Sequence, residues 1–141
     1  MAARRGRASQ GQRWKTFEYD FARQGGTVGA KTLTKVGGGV QKLPDNAVIL
    51  GYYVEPVTSL ASAGSATVAL GSDDSGLGAA ALKAATAFDN AMYAAATQTL
   101  DKASLASKVN KAGGTSLLAT IAAAALTAGK FRVHVKYREG V

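Results

Sequence analysis

Lys130-Phe131-Arg132-Val133-His134-Val135-Lys136-Tyr137-Arg138-Glu139 alternates apolar and polar side chains from Phe131 to Arg138. Phe131, Val133, Val135 and Tyr137 fall on one side of a two-residue period, and Arg132, His134, Lys136 and Arg138 fall on the other. Successive side chains of a strand point to opposite faces. The pattern therefore predicts a β-strand with one buried apolar stripe and one wet basic stripe. A helix would scatter both sets around its circumference.

Working outward, Thr127-Ala128-Gly129 reads as a tight turn that pairs this strand in a hairpin with the one before it, residues 115–121. Phe17, Tyr19 and Phe21 alternate with Thr16, Glu18 and Asp20, which predicts a first strand closed by a Gly25-Gly26 turn. Residues 27–35 read as a second strand, ended by Gly37-Gly38-Gly39. Leu43-Pro44-Asp45-Asn46 is a turn in which Pro sets φ and Asx side chains cap the bend. Residues 47–57 follow as a long strand, with Val48, Leu50, Tyr52 and Val54 on one face and Ile49, Tyr53 and Val57 nearer the other. Apolar residues on both faces point to a strand covered on both sides. Shorter strands are expected at 65–71 and 105–110. Residues 77–100 read as partly helical: Leu77, Ala81, Ala85, Phe88 and Met92 make a helical stripe, and Asp74 or Ser75 supplies a cap. Many short strands, Gly-rich turns and no repeated βαβ spacing give an all-β antiparallel sandwich or jelly roll, with at most one short helical segment.

The 141 residues suffice for one core. Much of the apolar content is alanine, so a thin core helped by an oligomer partner is expected. The chain has no cysteine, which excludes a disulfide scaffold and thiolate-ligated metal. Net charge is +8 and unevenly spread. Arg4, Arg5, Arg7, Arg13 and Lys15 give the first fifteen residues five positive charges and no acid, against twelve bases and nine acids in the rest. The domain boundaries that follow are an extended basic arm over 1–15 and a folded domain over 16–141. The arm has no apolar run of the kind a secretory signal carries, and the longest apolar run, residues 117–126, is too short to span a bilayer. A soluble intracellular or assembly-bound protein is expected.

Catalytic material is sparse. The sole histidine, His134, reads as a solvated strand residue whose cationic neighbours Arg132 and Lys136 disfavour a proton or a metal ion. Gly25-Gly26-Thr27-Val28-Gly29-Ala30-Lys31-Thr32 imitates a phosphate loop, but Ala30 stands where the second Gly belongs and a strand follows in place of a helix. Asp73-Asp74 reads as a turn or cap. No catalytic residue, cofactor, metal site or small-molecule substrate is expected, and an enzyme is the least supported class. Arg4, Arg5, Arg7, Arg13, Trp14 and Lys15 join phosphate-seeking charge to one aromatic, so non-specific nucleic-acid binding is conceivable but not favoured.

The blocks Leu43-Pro44-Asp45-Asn46-Ala47-Val48-Ile49, Gly64-Ser65-Ala66-Thr67-Val68-Ala69-Leu70-Gly71 and Ala125-Leu126-Thr127-Ala128-Gly129-Lys130-Phe131 form an ordered series. With the opening Phe17-Glu18-Tyr19-Asp20-Phe21, that series resembles small virion structural proteins of tailed bacteriophages. The resemblance implies a capsid cement or decoration protein that clamps the major capsid protein, often as a trimer. It also implies a place on the virion's capsid surface after synthesis in the host bacterial cytoplasm. Arg4, Arg5, Arg7, Arg13, Trp14 and Lys15 then become the expected capsid contacts. The alternatives are a tail, connector or fibre-associated protein on the same fold and an internal nucleic-acid-binding protein.

Overall fold

The computed structural model describes residues 12–74, 76–78, 82–90, 93 and 103–139. Among the described residues, eight strands run β1 (Arg13–Asp20), β2 (Gly29–Thr32), β3 (Val48–Ser62), β4 (Thr67–Ser72), β5 (Lys83–Ala87), β6 (Ala103–Lys108), β7 (Leu117–Ala122) and β8 (Leu126–Arg138), with one α-helical turn, α1 (Phe21–Gln24). They form two four-stranded sheets, β1-β8-β3-β6 (sheet I) and β2-β7-β4-β5 (sheet II), and every pair is antiparallel. The protein is an all-β sandwich.

The decisive stretch lies inside β8, whose alternation holds. Phe131, Val133, Val135 and Tyr137 are buried, and they meet Phe17 and Tyr19 of β1 and Ile49, Tyr52 and Val54 of β3. Val68, Leu70, Leu117, Ala119 and Ile121 of sheet II close the core. Tyr93 fills it as well, its ring 5.2 Å from Phe131 and its hydroxyl donating to the Val68 carbonyl at 3.3 Å.

Four expectations change. The first strand stops at Asp20, not Phe21, because the Asp20 carboxylate accepts from the Ala22 amide at 3.0 Å and caps α1. In β3 the ladder passes from Ile49↔Tyr137 to Gly51↔Lys136, leaving Leu50 as a bulge. One extra residue re-phases the strand, so Ile49, Tyr52 and Val54 share the core face while Tyr53 and Glu55 face outward.

The expected hairpin of the last two strands does not form, since β7 and β8 belong to different sheets. The chain bends at Ala123, whose φ is +69°, and crosses between the sheets. Leu126 is then caught by the Gly26 carbonyl at 2.8 Å, and Ser62 of β3 donates to Ala125 at 2.7 Å. Thr127-Ala128-Gly129 is not a turn but the start of β8. Finally, within the stretch expected to be partly helical, residues 83–87 form β5. Met92, Ala81 and most of 91–102 lie outside the described residues, as does the candidate cap Ser75.

Two of the resemblance-bearing blocks, 64–71 and 125–131, lie where the sheets exchange strands, whereas the 43–49 block runs into β3 at the far end of β8, where Val48 faces Arg138. Gly64, on the β3–β4 crossing, packs so closely that a Cβ there would stand 2.9 Å from the Ala124 Cβ of the β7–β8 crossing. A Cβ on Gly129 would fall 2.3 Å from Leu60 Cδ2 and 2.8 Å from its Cα, at a φ of +134°. Gly25 also has positive φ, +74°, but opens onto empty space. Gly129→Ala should therefore cost more than about 3 kcal/mol, from overlap as well as strain. Gly25→Ala should cost about 1–3 kcal/mol, from strain alone. Urea unfolding of the two variants checks the difference.

Candidate functional site

The outer face of sheet I gathers the polar and aromatic side chains. The register across β1, β8 and β3 stacks them in rows: Trp14–Lys136–Gly51, Thr16–His134–Tyr53, Glu18–Arg132–Glu55 and Asp20–Lys130–Thr58.

Glu18 is the centre of one half. Its residue surface is 1% exposed, and its carboxylate accepts from Arg132 Nε at 3.0 Å, from an Arg23 guanidinium nitrogen at 3.0 Å and from the Gly37 amide at 3.1 Å. Burial alone would raise its pKa, but the Gly37 amide and the two guanidinium groups outweigh that and hold it below the usual glutamate range. The Glu18 backbone extends the grip. It exchanges amide and carbonyl with Thr34, at 2.7 and 3.1 Å, so the segment after β2 covers the open edge of β1. Gln41 donates to the Thr16 carbonyl and Lys15 Nζ to the Lys42 carbonyl further along that edge. Asp20 pairs with Arg23 at 3.4 Å and with Lys130 at 3.6 Å.

His134 departs from its expectation. It is a partnered side chain, not a solvated one. Glu55 Oε1 lies 2.8 Å from Nε2, the Thr16 hydroxyl 2.9 Å from Nδ1, and the Tyr53 ring stacks on the imidazole at 4.5 Å between centroids. A carboxylate only accepts, so Nε2 donates to Glu55, while Nδ1 pairs with the Thr16 hydroxyl. The cations two residues away along the strand mattered less than the neighbours across it, which stand nearer. Hydroxyl, imidazole and carboxylate follow the order of a hydrolase triad. Here they lie side by side on one flat sheet, and the surrounding backbone is committed to the β1–β8 and β8–β3 ladders. The arrangement locks three strands together and fixes Tyr53.

Tyr53 in turn supports Trp14, edge to face at 5.6 Å, and Lys136 Nζ sits 5.9 Å from the Trp14 ring centre. Trp14 remains 54% exposed. Of the expected contact residues, Arg4, Arg5 and Arg7 lie outside the described residues. Arg13, Trp14 and Lys15 are not arm but the first residues of β1, and Arg13 meets Glu139 at 3.7 Å. Tyr53, Lys136 and Glu55 were not foreseen as their neighbours. Outward alternation marked Lys136, but which strands flank β8 is not written in any one stretch.

The Asp73-Asp74 pair lies away from this face and builds a turn. Asp73 accepts from the Thr115 hydroxyl at 2.6 Å, the Ser116 amide at 3.0 Å and Lys111 Nζ at 2.9 Å. Burial would raise its pKa, yet these donors lower it. Asp74, buried, accepts from the Gly76 and Asn110 amides at 2.9 and 2.7 Å. Donors already occupy the oxygens a cation would need.

No family model matches the chain, and no curated protein matches it in sequence. Among the solved structures that match its fold are two phage capsid chains. One is a chain of the capsid asymmetric unit of cyanophage Pam1, with a TM-score of 0.60 and 23% identity over 91% of this chain and 84% of that one. The other belongs to the acidic stable capsid of Helicobacter pylori bacteriophage KHP30, with a TM-score of 0.59 and 15% identity over 92% and 89%. The likeness is one of fold.

Glu18→Gln removes the charge between two guanidinium groups and should cost about 3 kcal/mol at neutral pH. Because folding lowers the Glu18 pKa, its stabilisation is present above the ordinary glutamate range and is lost as pH falls through the lowered value. The gap between wild type and Glu18→Gln should therefore narrow toward acid. Chemical denaturation at several pH values reads it.

Proposed function

We propose that this protein is a structural component of a bacteriophage virion that binds the major capsid protein and stabilises the shell as a cement or decoration protein. The observation that carries the reading is the match of two phage capsid chains across nine-tenths of this fold. The ordered sequence blocks support it. So does a surface built for positioning and docking: exposed Trp14, an outward basic stripe and the basic residues that precede β1.

In this reading the chain acts as an oligomer, a trimer being favoured, on the capsid surface. Residues 1–12 with Arg4, Arg5 and Arg7 reach a neighbouring subunit, and Arg13, Trp14 and Lys15 contribute the anchored end of that contact. Twelve extended residues reach up to roughly 40 Å at about 3.3 Å each. Arg guanidinium groups match capsid carboxylates in forked geometry. Each contact is weak, and shell symmetry multiplies it.

Copy number per particle tests the reading, by quantitative mass spectrometry of purified virions. Hundreds of copies support a shell protein; about six or twelve would place the chain on the tail axis and refute it. Deleting residues 2–12 leaves β1 whole. The shortened chain should fold and lose at least tenfold in shell occupancy, and unchanged occupancy would remove the arm from the account.

A further inference from the structure

Charge on the outer face of sheet I is divided. At the Glu18 end every base is answered: Arg132 and Arg23 by Glu18, Lys130 by Asp20, and His134 by Glu55. At the other end Lys136 and Arg138 of β8 point outward, and Val48 brings Lys108 of β6 into the row of Arg138. Among the described residues none of these three bases has a carboxylate partner, and Glu139 at that end is engaged by Arg13. Trp14 stands beside them, half its surface open.

We propose that this half of the sheet, Trp14 with Lys136, Arg138 and Lys108, is a docking surface for an extended acidic protein segment carrying one apolar side chain. Lys136 and Arg138 are two residues apart on one strand, about 6.8 Å, which is also the spacing of alternate side chains on a bound strand. Carboxylates at alternate positions of the partner meet the bases, and its apolar side chain takes the open part of Trp14. Tryptophan and arginine are enriched among the residues that carry most of the energy of protein interfaces. A nucleic acid fits less well. Binding of single strands uses successive open aromatic faces, whereas Tyr53 is stacked on His134 and Lys136 covers one side of Trp14.

Only the partner's identity as a capsid subunit rests on the function proposed above; the surface does not. Trp14 is the sole tryptophan, so its emission reports on this patch directly. The probe is a blocked nonapeptide alternating glutamate and threonine with one central leucine. It should change the emission saturably, and its lysine-for-glutamate counterpart should not. Lys136→Glu/Arg138→Glu should weaken binding at least tenfold, while Lys31→Glu/Lys35→Glu, with the same net charge, should stay within twofold. If the first pair misfolds by near-UV circular dichroism, Lys136→Gln/Arg138→Gln takes its place. Equal loss in both pairs, absence of binding, or tighter binding of a nine-nucleotide oligothymidylate would overturn the proposal. Binding to phage shells separates the two claims. A wild type that takes the peptide but ignores shells keeps this surface and rejects the shell role. Shell binding unchanged by Lys136→Glu/Arg138→Glu keeps the shell role and rejects this surface.

Discussion

A buried carboxylate between two guanidinium groups governs how sheet I is built. Taking Glu18 out of water is costly, and only the simultaneous donors Arg132, Arg23 and Gly37 offset it. Those donors come from three separate segments: β8, the turn of α1, and the loop that covers the β1 edge. Satisfying one charge therefore sets the β1–β8 register, the direction in which the chain leaves β1, and the position of the covering loop. A slip of one residue would carry Glu18 into the core and turn Phe17 and Tyr19 out. Such a pair adds more to uniqueness than to net stability, since an apolar replacement of similar volume would avoid the desolvation cost.

The same economy of charge shapes the outer surface. Acids are concentrated on the Glu18 half, where they lock arginine, lysine and histidine into rows. What is left over at the Trp14 half is positive, with an aromatic held in place by Tyr53 and His134 beneath. The strand network thus makes a rigid platform out of the residues that immediately follow the basic segment.

Much of this was legible in the sequence where a stripe speaks for itself. Residues 131–137 and 17–19 alternate so cleanly that the core face of both strands follows from side-chain direction alone. Legibility failed wherever a single residue changes phase. The Leu50 bulge swaps the faces of Val48 and Ile49 relative to Tyr52, and no local composition announces it. The run Ala122 to Ala125 carries no turn residue, yet Ala123 takes a left-handed bend and sends the chain to the other sheet. The Lys83–Ala87 strand is hidden because alanine and threonine support either periodicity. His134 looked solvated because its partners, Thr16 and Glu55, are 118 and 79 residues away and become neighbours only through strand order.

One half of sheet I is sealed by its own ion pairs, and in the proposed role the other half is left for a shell partner. A particle reconstruction at side-chain resolution tests it most directly. The account predicts this chain on the capsid shell, with Trp14, Lys136 and Arg138 against acidic side chains of a neighbouring subunit and the Glu18–Arg132 pair intact beneath its own loop. A chain found off the shell, or on it with the Trp14 half of the sheet open to solvent, would contradict the account.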